Sequence, residues 1–239
     1  MSKLDILVFA AHPDDVELAC SGTVLKHISQ GYKVGLADLT RGELGTRGTA
    51  EIRAEESKKA TELLGIQVRE NLGFRDGFFE IDETHLLKVV EIIRKYQPEI
   101  ILANAKSDRH PDHARGGDLV SRANFLSGLI KVITSHENQP QAAWRAKAVY
   151  RYVQDNFIQP DFVVDITGFE SKKMEAIKAF KSQFYDSTST EPQTPISRED
   201  FLDFVMGRAK QFGRPIGVSY GEGFTVERYI GLDNLFAIK

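Results

Sequence analysis

The chain has 239 residues, of which 41% are hydrophobic and 27% charged, and a formal net charge of −3. This length and composition allow one α/β domain with a large core, and the slightly acidic charge argues against a general nucleic-acid-binding protein. The single cysteine, Cys20, excludes an intrachain disulfide, and no apolar run is long enough to span a bilayer. Because the N-terminus also lacks a secretory pattern, we expect a cytoplasmic protein without a nucleic-acid or membrane partner.

Apolar runs alternate with amphipathic segments through the first half of the chain. The runs at residues 4–11, 33–39, 67–72 and 99–103 predict strands, and the segments 15–30, 50–64, 84–96 and 111–127 predict helices. Strands that alternate with helices form right-handed crossovers and a parallel sheet. The commonest doubly wound order is 3-2-1-4-5, and we predict this α/β architecture. No linker divides the chain, so one domain over residues 1–239 is expected.

The pattern is weaker after residue 135, where we predict a smaller C-terminal extension. A mostly polar loop covers residues 137–144, followed by strands at 148–152 and 162–166 and helices at 169–180 and 198–212. The Ser/Thr/Pro-rich stretch 185–195 predicts a mobile loop or flap. The glycine-containing tail ends in residues 232–238, which we interpret as an edge strand.

Two short polar motifs follow predicted strands 1 and 4. His12-Pro13-Asp14-Asp15 ends the first strand, and His110-Pro111-Asp112-His113 follows the fourth. In the order 3-2-1-4-5 these two strands are neighbours, and a crevice opens at their carboxyl ends because their connections leave in opposite directions. The topology therefore predicts that the two motifs meet at one site.

The residue types in these motifs are those of a catalytic metal site. Two imidazoles and one carboxylate, with one position open for water, form a usual zinc set, for which His12, Asp15 and His113 are the candidates. Asp14 and His110 then remain as supporting or catalytic groups. For either motif alone, a capped helix start with an acidic first turn is an equally good interpretation.

The glycine-rich stretch at residues 40–49 follows the second predicted strand and should lie on the same sheet edge. Its glycines fit neither the dinucleotide fingerprint nor the phosphate-binding loop, which argues against a nicotinamide-dependent enzyme. Arg41, Arg47 and Arg53 are candidates to face an anionic substrate. The alternative for each arginine is a solvated surface position.

These motifs resemble those of the LmbE-like (PIG-L) N-acetylglucosamine deacetylases. The length and several details are most similar to the bacillithiol-pathway enzymes, which deacetylate N-acetylglucosaminyl-malate. The resemblance implies a zinc enzyme with a Rossmann-like three-layer sandwich, which acts on a small amino-sugar conjugate and assembles as a homohexamer. It is carried by residues 12–17, 40–43, 51–53, 110–113 and 220–224.

Carried over position by position, the resemblance implies roles for the site residues. His12, Asp15 and His113 would bind one Zn²⁺ per chain, although Fe²⁺ could use the same ligands. Asp14 would act as the general base and His110 as an acid or oxyanion-stabilising group, with Asp112 orienting His110. Arg53, Arg109 and Tyr185 would bind substrate. Mycothiol-pathway relatives have a tyrosine where this chain has Asp108, and Tyr185 is our candidate to replace it.

Several alternatives remain at this stage. Within the deacetylase interpretation, chitooligosaccharides or other N-acetylglucosaminides are alternative substrates. A phosphoesterase with two metals would need more carboxylates than the two motifs supply. A non-catalytic sugar- or metal-binding module is a third alternative, but it would have no use for the spare carboxylate of Asp14.

Overall fold

A computed structural model describes residues 3–237, in which a seven-stranded sheet is covered by helices on both faces. The sheet strands are β1 (Ile6–Ala10), β2 (Val34–Thr40), β3 (Val68–Phe74), β4 (Ile100–Ala103), β7 (Ala148–Tyr152), β8 (Phe162–Asp165) and β9 (Gly221–Val226), and a separate hairpin contains β5 (Ser135–His136) and β6 (Gln139–Pro140). The α-helices are α1 (Asp15–Ala19), α2 (Ser21–Ser29), α3 (Ala50–Leu64), α4 (Glu83–Tyr96), α5 (Pro111–Ser127), α6 (Glu170–Ile177) and α7 (Phe201–Gly213). Within residues 3–237, no helix is long and apolar enough to cross a membrane.

The strand order is β3-β2-β1-β4-β7-β9-β8. The first five strands are parallel, and β7 is the fifth predicted strand, so the predicted order 3-2-1-4-5 is confirmed. Strand β9 pairs antiparallel with both β7 and β8 and extends the sheet. The predicted edge strand at residues 232–238 is wrong over its described part, because the tail there contains only a short 3₁₀ helix, Leu235–Ala237, and Ile238 lies outside the described residues.

The first predicted helix, residues 15–30, is divided into α1 and α2 at Cys20, whose backbone is not helical (φ −139°). The carboxylate of Glu222, from β9, accepts hydrogen bonds from the N–H groups of Gly22 and Thr23 at 3.0 and 2.7 Å. Lys173 of α6 donates to the same carboxylate at 2.6 Å. A side chain distant in sequence thus satisfies N–H groups that a continuous helix would pair internally.

The apolar residues of β1 alternate between two core clusters. Leu7 and Phe9 pack in one cluster, whereas Ile6, Val8 and Ala10 pack in the other, and all five are buried. A strand that is covered on both faces requires helices on both sides of the sheet. The alternation therefore accounts for the three-layer sandwich.

A buried ionic cluster connects β2, β3 and α1 below the carboxyl edge of the sheet. Arg69 donates to Glu17 at 2.7 Å and forms two bonds to Asp38 at 2.7 and 3.0 Å. Burial raises the pKa of Asp38 to about 6, although Arg69 opposes this shift. Glu17 is thus held in a structural cluster.

We expect Arg69→Met to destabilise the fold by about 3–5 kcal/mol, because it leaves two buried carboxylates without their cation. Urea denaturation measures the change in the free energy of unfolding. Arg122→Met is the matched control, since Arg122 is exposed on α5. Equal stabilities of the two variants would contradict the role assigned to Arg69.

Candidate active site

The two motifs meet at the carboxyl ends of β1 and β4. The ring centroids of His12 and His110 are 4.6 Å apart, and those of His110 and His113 are 5.1 Å apart. One ring nitrogen of each of these three histidines lies within 4.8 Å of the others. Neighbouring parallel strands thus bring together residues that are about a hundred positions apart in sequence.

The turn after β1 has an unusual backbone. Asp14 has φ 107° and ψ −22°, in the left-handed region that non-glycine residues rarely adopt. This conformation directs Asp14 and Asp15 to different partners, because the next residue already begins α1. Strain of this kind is concentrated at functional sites, where surrounding contacts hold it.

His12 is held by carboxylates on one side of its ring. Its Nε2 lies 3.0 Å from Asp76 Oδ1 and 3.4 Å from Asp112 Oδ2. Its Nδ1 lies 3.8 Å from Asp15 Oδ2. The resemblance implied that Asp112 orients His110, but the Asp112 carboxylate contacts His12, and it also accepts from the N–H of Gly77 at 2.8 Å.

His113 is also held between two carboxylates, but here Nδ1 faces the supporting carboxylate and Nε2 faces Asp15. Its Nδ1 hydrogen-bonds to the carboxylate of Asp108, and its Nε2 lies 3.1 Å from Asp15 Oδ1. Asp108, at the position of the missing tyrosine, therefore contacts a histidine from behind. Asp15 is itself held by the amides of Asn104 and Gln154, which donate at 2.9 and 3.1 Å.

These contacts fit a divalent metal. Metal-binding histidines usually donate their second ring N–H to a carboxylate, which fixes the tautomer and leaves the other nitrogen for the metal. His12 and His113 both have a carboxylate on one nitrogen and face Asp15 with the other. Asp15 contacts the two imidazoles through different oxygens, Oδ2 towards His12 and Oδ1 towards His113. Two imidazoles and one carboxylate are the donor set of catalytic zinc sites. His12, Asp76 and Asp112 also have ligand atoms within 4.8 Å, but on the side of His12 that the carboxylates occupy.

Asp76 and Asp108 were not identified as site residues in the sequence. Asp76 follows β3 and Asp108 follows β4, so both lie at the carboxyl edge where the motifs lie. Their position after strands of this edge was the sequence feature that could have identified them as site residues. Asp76 belongs to no recognisable motif, and the resemblance marked Asp108 only as the position where mycothiol-pathway relatives have a tyrosine.

We expect Asp108→Asn to weaken metal affinity by about 10–100-fold, because supporting carboxylates contribute about this much to affinity. Competition with a chelating indicator measures the dissociation constant. Asp155→Asn is a nearby control, since the carboxylate of Asp155 bonds to Arg109 rather than to a histidine. Unchanged affinity in Asp108→Asn would argue against metal binding by His113.

His110 occupies the N-cap of α5. Its Nδ1 accepts a hydrogen bond from the N–H of Asp112 at 3.3 Å, so a neutral ring carries its proton on Nε2. Burial, followed by the neighbouring histidines, lowers the pKa of His110 below its usual value. The geometry therefore provides a neutral N–H donor beside His12 and His113.

Arg53, on α3, is buried and reaches the other carboxylate of the first motif. Its Nη2 donates to Asp14 Oδ2 at 2.9 Å and also to the amide oxygen of Gln183. Burial raises the pKa of Asp14 to about 7, although Arg53 opposes this shift. The glycine-rich loop makes room for the guanidinium, because a Cβ at Gly42 (φ +65°) would lie 2.0 Å from Arg53 Nη1.

We expect Gly42→Ala to displace Arg53 from Asp14 and to lower kcat about 10–100-fold, the range of a lost charged hydrogen bond. Metal content should not change. Gly31→Ala is the matched control, because Gly31 also has a positive φ but no heavy atom lies within 4 Å of the position that a Cβ would take there. Steady-state kinetics and the melting temperatures of both variants separate displacement of Arg53 from general backbone strain.

The site opens into a cleft of about 360 Å³. Arg53 and Arg109, two of the expected substrate-binding residues, line this cleft, whereas Tyr185 does not line it and is 48% exposed. Arg47 is buried elsewhere and donates to the carbonyl oxygen of Ser182 at 2.9 Å. Another part of the cleft lining is provided by α7 and the segment before it, through Pro195, Ile196, Phe201, Phe204, Val205, Arg208, Ala209 and Phe212.

Residues 7–124, which include both motifs, match the family model PIG-L, described as GlcNAc-PI de-N-acetylase. A probable N-acetyl-alpha-D-glucosaminyl L-malate deacetylase 2 from Bacillus cereus is 31% identical over 191 residues, covering 74% of this chain and 83% of that protein. The chain belongs to the PIG-L family. It is therefore an enzyme of the deacetylase type, an amide hydrolase.

Other similarities extend over about three quarters of this PIG-L chain or more. The solved structure of the conserved protein TT1542 from Thermus thermophilus superposes with a TM-score of 0.85 at 31% identity, covering 97% of this chain and 98% of that one. A diacetylchitobiose deacetylase from Thermococcus kodakarensis is 29% identical over 228 residues, 91% of this chain and 81% of the relative. A 4-oxalmesaconate hydratase from Pseudomonas putida is 26% identical over 203 residues, 74% and 73% of the two chains. Relatives of this PIG-L chain thus include one named for a different reaction.

Proposed function

We propose that this chain is a zinc-dependent enzyme that removes the N-acetyl group from N-acetylglucosaminyl-L-malate, in the pathway of bacillithiol synthesis. The observation that carries the hydrolytic part is the arrangement of His12 and His113 around Asp15, each imidazole held from behind by a carboxylate. Asp14 precedes Asp15 in the same turn, and within residues 3–237 its carboxylate accepts a hydrogen bond from Arg53 on Oδ2 alone. The malate conjugate is supported by the name of the Bacillus cereus relative.

The metal would be held by His12, Asp15 and His113, and when bound it would polarise the acetyl carbonyl and make a water molecule more acidic. Asp14 accepts the proton of the attacking water on the carboxylate oxygen that Arg53 leaves free. Arg53 fixes the orientation of this carboxylate, because its Nη2 bonds to Asp14 Oδ2. Positioning of this kind preserves the alignment of base and water.

His110 stabilises the negative charge that develops on the acetyl oxygen. Its Nδ1 is occupied by the N–H of Asp112, so its Nε2–H is the available donor. A donor that is already oriented before the reaction stabilises an oxyanion without further reorganisation. Proton transfer from Asp14 to the departing nitrogen completes the reaction and releases acetate and the free amine.

Acetate release tests this proposal. The purified, metal-loaded protein is assayed with N-acetylglucosaminyl-L-malate, diacetylchitobiose and N-acetylglucosamine, and zinc and iron are measured in the same sample. We expect the highest kcat/KM with the malate conjugate and about one zinc per chain. Preference for diacetylchitobiose would favour the chitooligosaccharide alternative. The deacetylase assignment would be overturned if the protein released no acetate from any of the three substrates and instead hydrated an unsaturated dicarboxylate.

The proposal includes a homohexameric assembly. It also includes a small-molecule substrate as the binding partner, and neither nucleic acid nor a membrane. Analytical ultracentrifugation of the metal-loaded protein tests the assembly. A sedimenting mass about six times that of the chain supports it, and a monomer contradicts it. Binding assays with double-stranded DNA and with anionic vesicles should show no association.

A further inference from the structure

The cleft contains three arginines, and two of them have carboxylate partners. Arg53 bonds to Asp14 and to Gln183, both buried, and so is committed to the catalytic side of the cleft. Arg109 is more exposed and bonds through Nε to the carboxylate of Asp155. The third arginine, Arg208, lies on α7 and also lines the cleft.

Arg208 is half-buried and has no carboxylate partner. Its Nη2 donates to the backbone carbonyl of Asp155, and its guanidinium lies 4.6 Å from the ring centroid of Phe204. Among residues 3–237, no Asp or Glu side chain forms an ion pair with it. Burial lowers the pKa of Arg208, although the charges of Asp155 and Asp108 oppose this shift.

Two carboxylates lie near Arg208, and each of them is bonded to another side chain. Asp155 bonds to Arg109, and Asp108 bonds to His113. Among the described residues, the guanidinium of Arg208 therefore lines the cleft without a carboxylate bonded directly to it. Phe201, Phe204 and Phe212 line the same wall and supply aromatic surface of the kind on which a sugar ring packs.

We propose that Arg208 determines specificity by binding a carboxylate on the aglycone of the substrate, while the aromatic wall of α7 contacts the sugar. This inference rests on the proposed function, because it assumes an N-acetylglucosamine conjugate in the cleft. It extends that function by assigning recognition of the anionic group to α7. Arg53, which bonds to Asp14, then acts on that carboxylate and not on the aglycone.

Two substrates test the assignment. N-acetylglucosaminyl-L-malate has an anionic aglycone and diacetylchitobiose a neutral one. Arg208→Gln should lower kcat/KM for the malate conjugate about 10–100-fold through a higher KM, and should change kcat/KM for diacetylchitobiose less than about twofold. Arg208→Lys should recover part of the loss. Lys210→Gln is the matched control, since it removes a charge from an exposed position on the same helix.

A binding measurement separates this inference from the proposed function. Calorimetry with free L-malate is performed on the metal-loaded wild type, Arg208→Gln and Lys210→Gln proteins. Weaker binding in Arg208→Gln alone supports the anion site even if no acetate is released from any substrate, because malate bound by the metal would be common to all three proteins. The role of Arg208 would be overturned if Arg208→Gln lowered kcat/KM equally for both substrates. It would also be overturned if malate bound equally well to all three proteins, or to none of them.

Discussion

Asp14→Asn lowers kcat about 10²–10⁴-fold, the range expected for a lost general base, while the protein keeps its metal. Asparagine is the appropriate replacement because Asp14 has φ 107° and asparagine tolerates the left-handed region better than alanine does. The amide can still accept a hydrogen bond from Arg53, but it cannot accept the proton of the attacking water. The measurements are kcat by acetate release and metal content by elemental analysis of the same sample.

Asp233→Asn is the control for this substitution, because Asp233 is exposed in the C-terminal tail. We expect its activity to match that of the wild type. Asp14→Ala should lose at least as much activity and should also be less stable, since alanine adds backbone strain. A metal-free Asp14→Asn protein would show that Asp14 is a ligand, and retention of a tenth or more of the activity would exclude it as the base.

His113→Ala and His12→Ala each abolish stoichiometric metal binding and reduce turnover to background. The physical reason is that a three-ligand site that loses one imidazole keeps only two protein ligands, too few to retain the ion through dialysis. Both variants should also lose the stabilisation that the wild type gains from added zinc, because a ligand that binds only the folded state raises its stability. Elemental analysis and melting temperature with and without zinc measure these effects.

His136→Ala serves as the control, because His136 lies in the β5–β6 hairpin, away from the cleft. It should bind metal like the wild type. His110→Ala separates the two interpretations of the histidine cluster, since its ring also lies within reach of the other two. Loss of activity with full metal content agrees with a donor role for His110. Stoichiometric zinc in both His12→Ala and His113→Ala would refute the ligand assignment.

The strand order and the meeting of the two motifs were predictable from the sequence for a physical reason. A parallel sheet built from right-handed crossovers has few arrangements, and in the commonest one strands 1 and 4 are neighbours. Residues that follow these strands must then share one edge, so His12 and His113 were brought together by topology alone. The two-sided apolar pattern of β1 similarly required helices on both faces.

The end of the chain was less predictable, because its elements are defined by contacts distant in sequence. Strand β9 contains four polar or glycine positions and was not recognised, yet it inserts between β7 and β8. Its residue Glu222 accepts from Gly22 and Thr23, which ends α1 and begins α2. A helix boundary that is set by a residue two hundred positions away leaves no local signal.

The sequence by itself determined the order of the five parallel strands, the edge at which the chemistry lies and the histidines and aspartates of the two motifs. Local periodicity shows the alternation of strands and helices, and right-handed crossovers then leave few arrangements. Only the tertiary structure decided which carboxylates support those histidines, that Arg53 bonds to Asp14, and that Arg208 lines the cleft with its Nη2 on a backbone carbonyl. These pairings join loops and helices that follow different strands. Their geometry depends on how the layers pack, and spacing along the chain does not encode it.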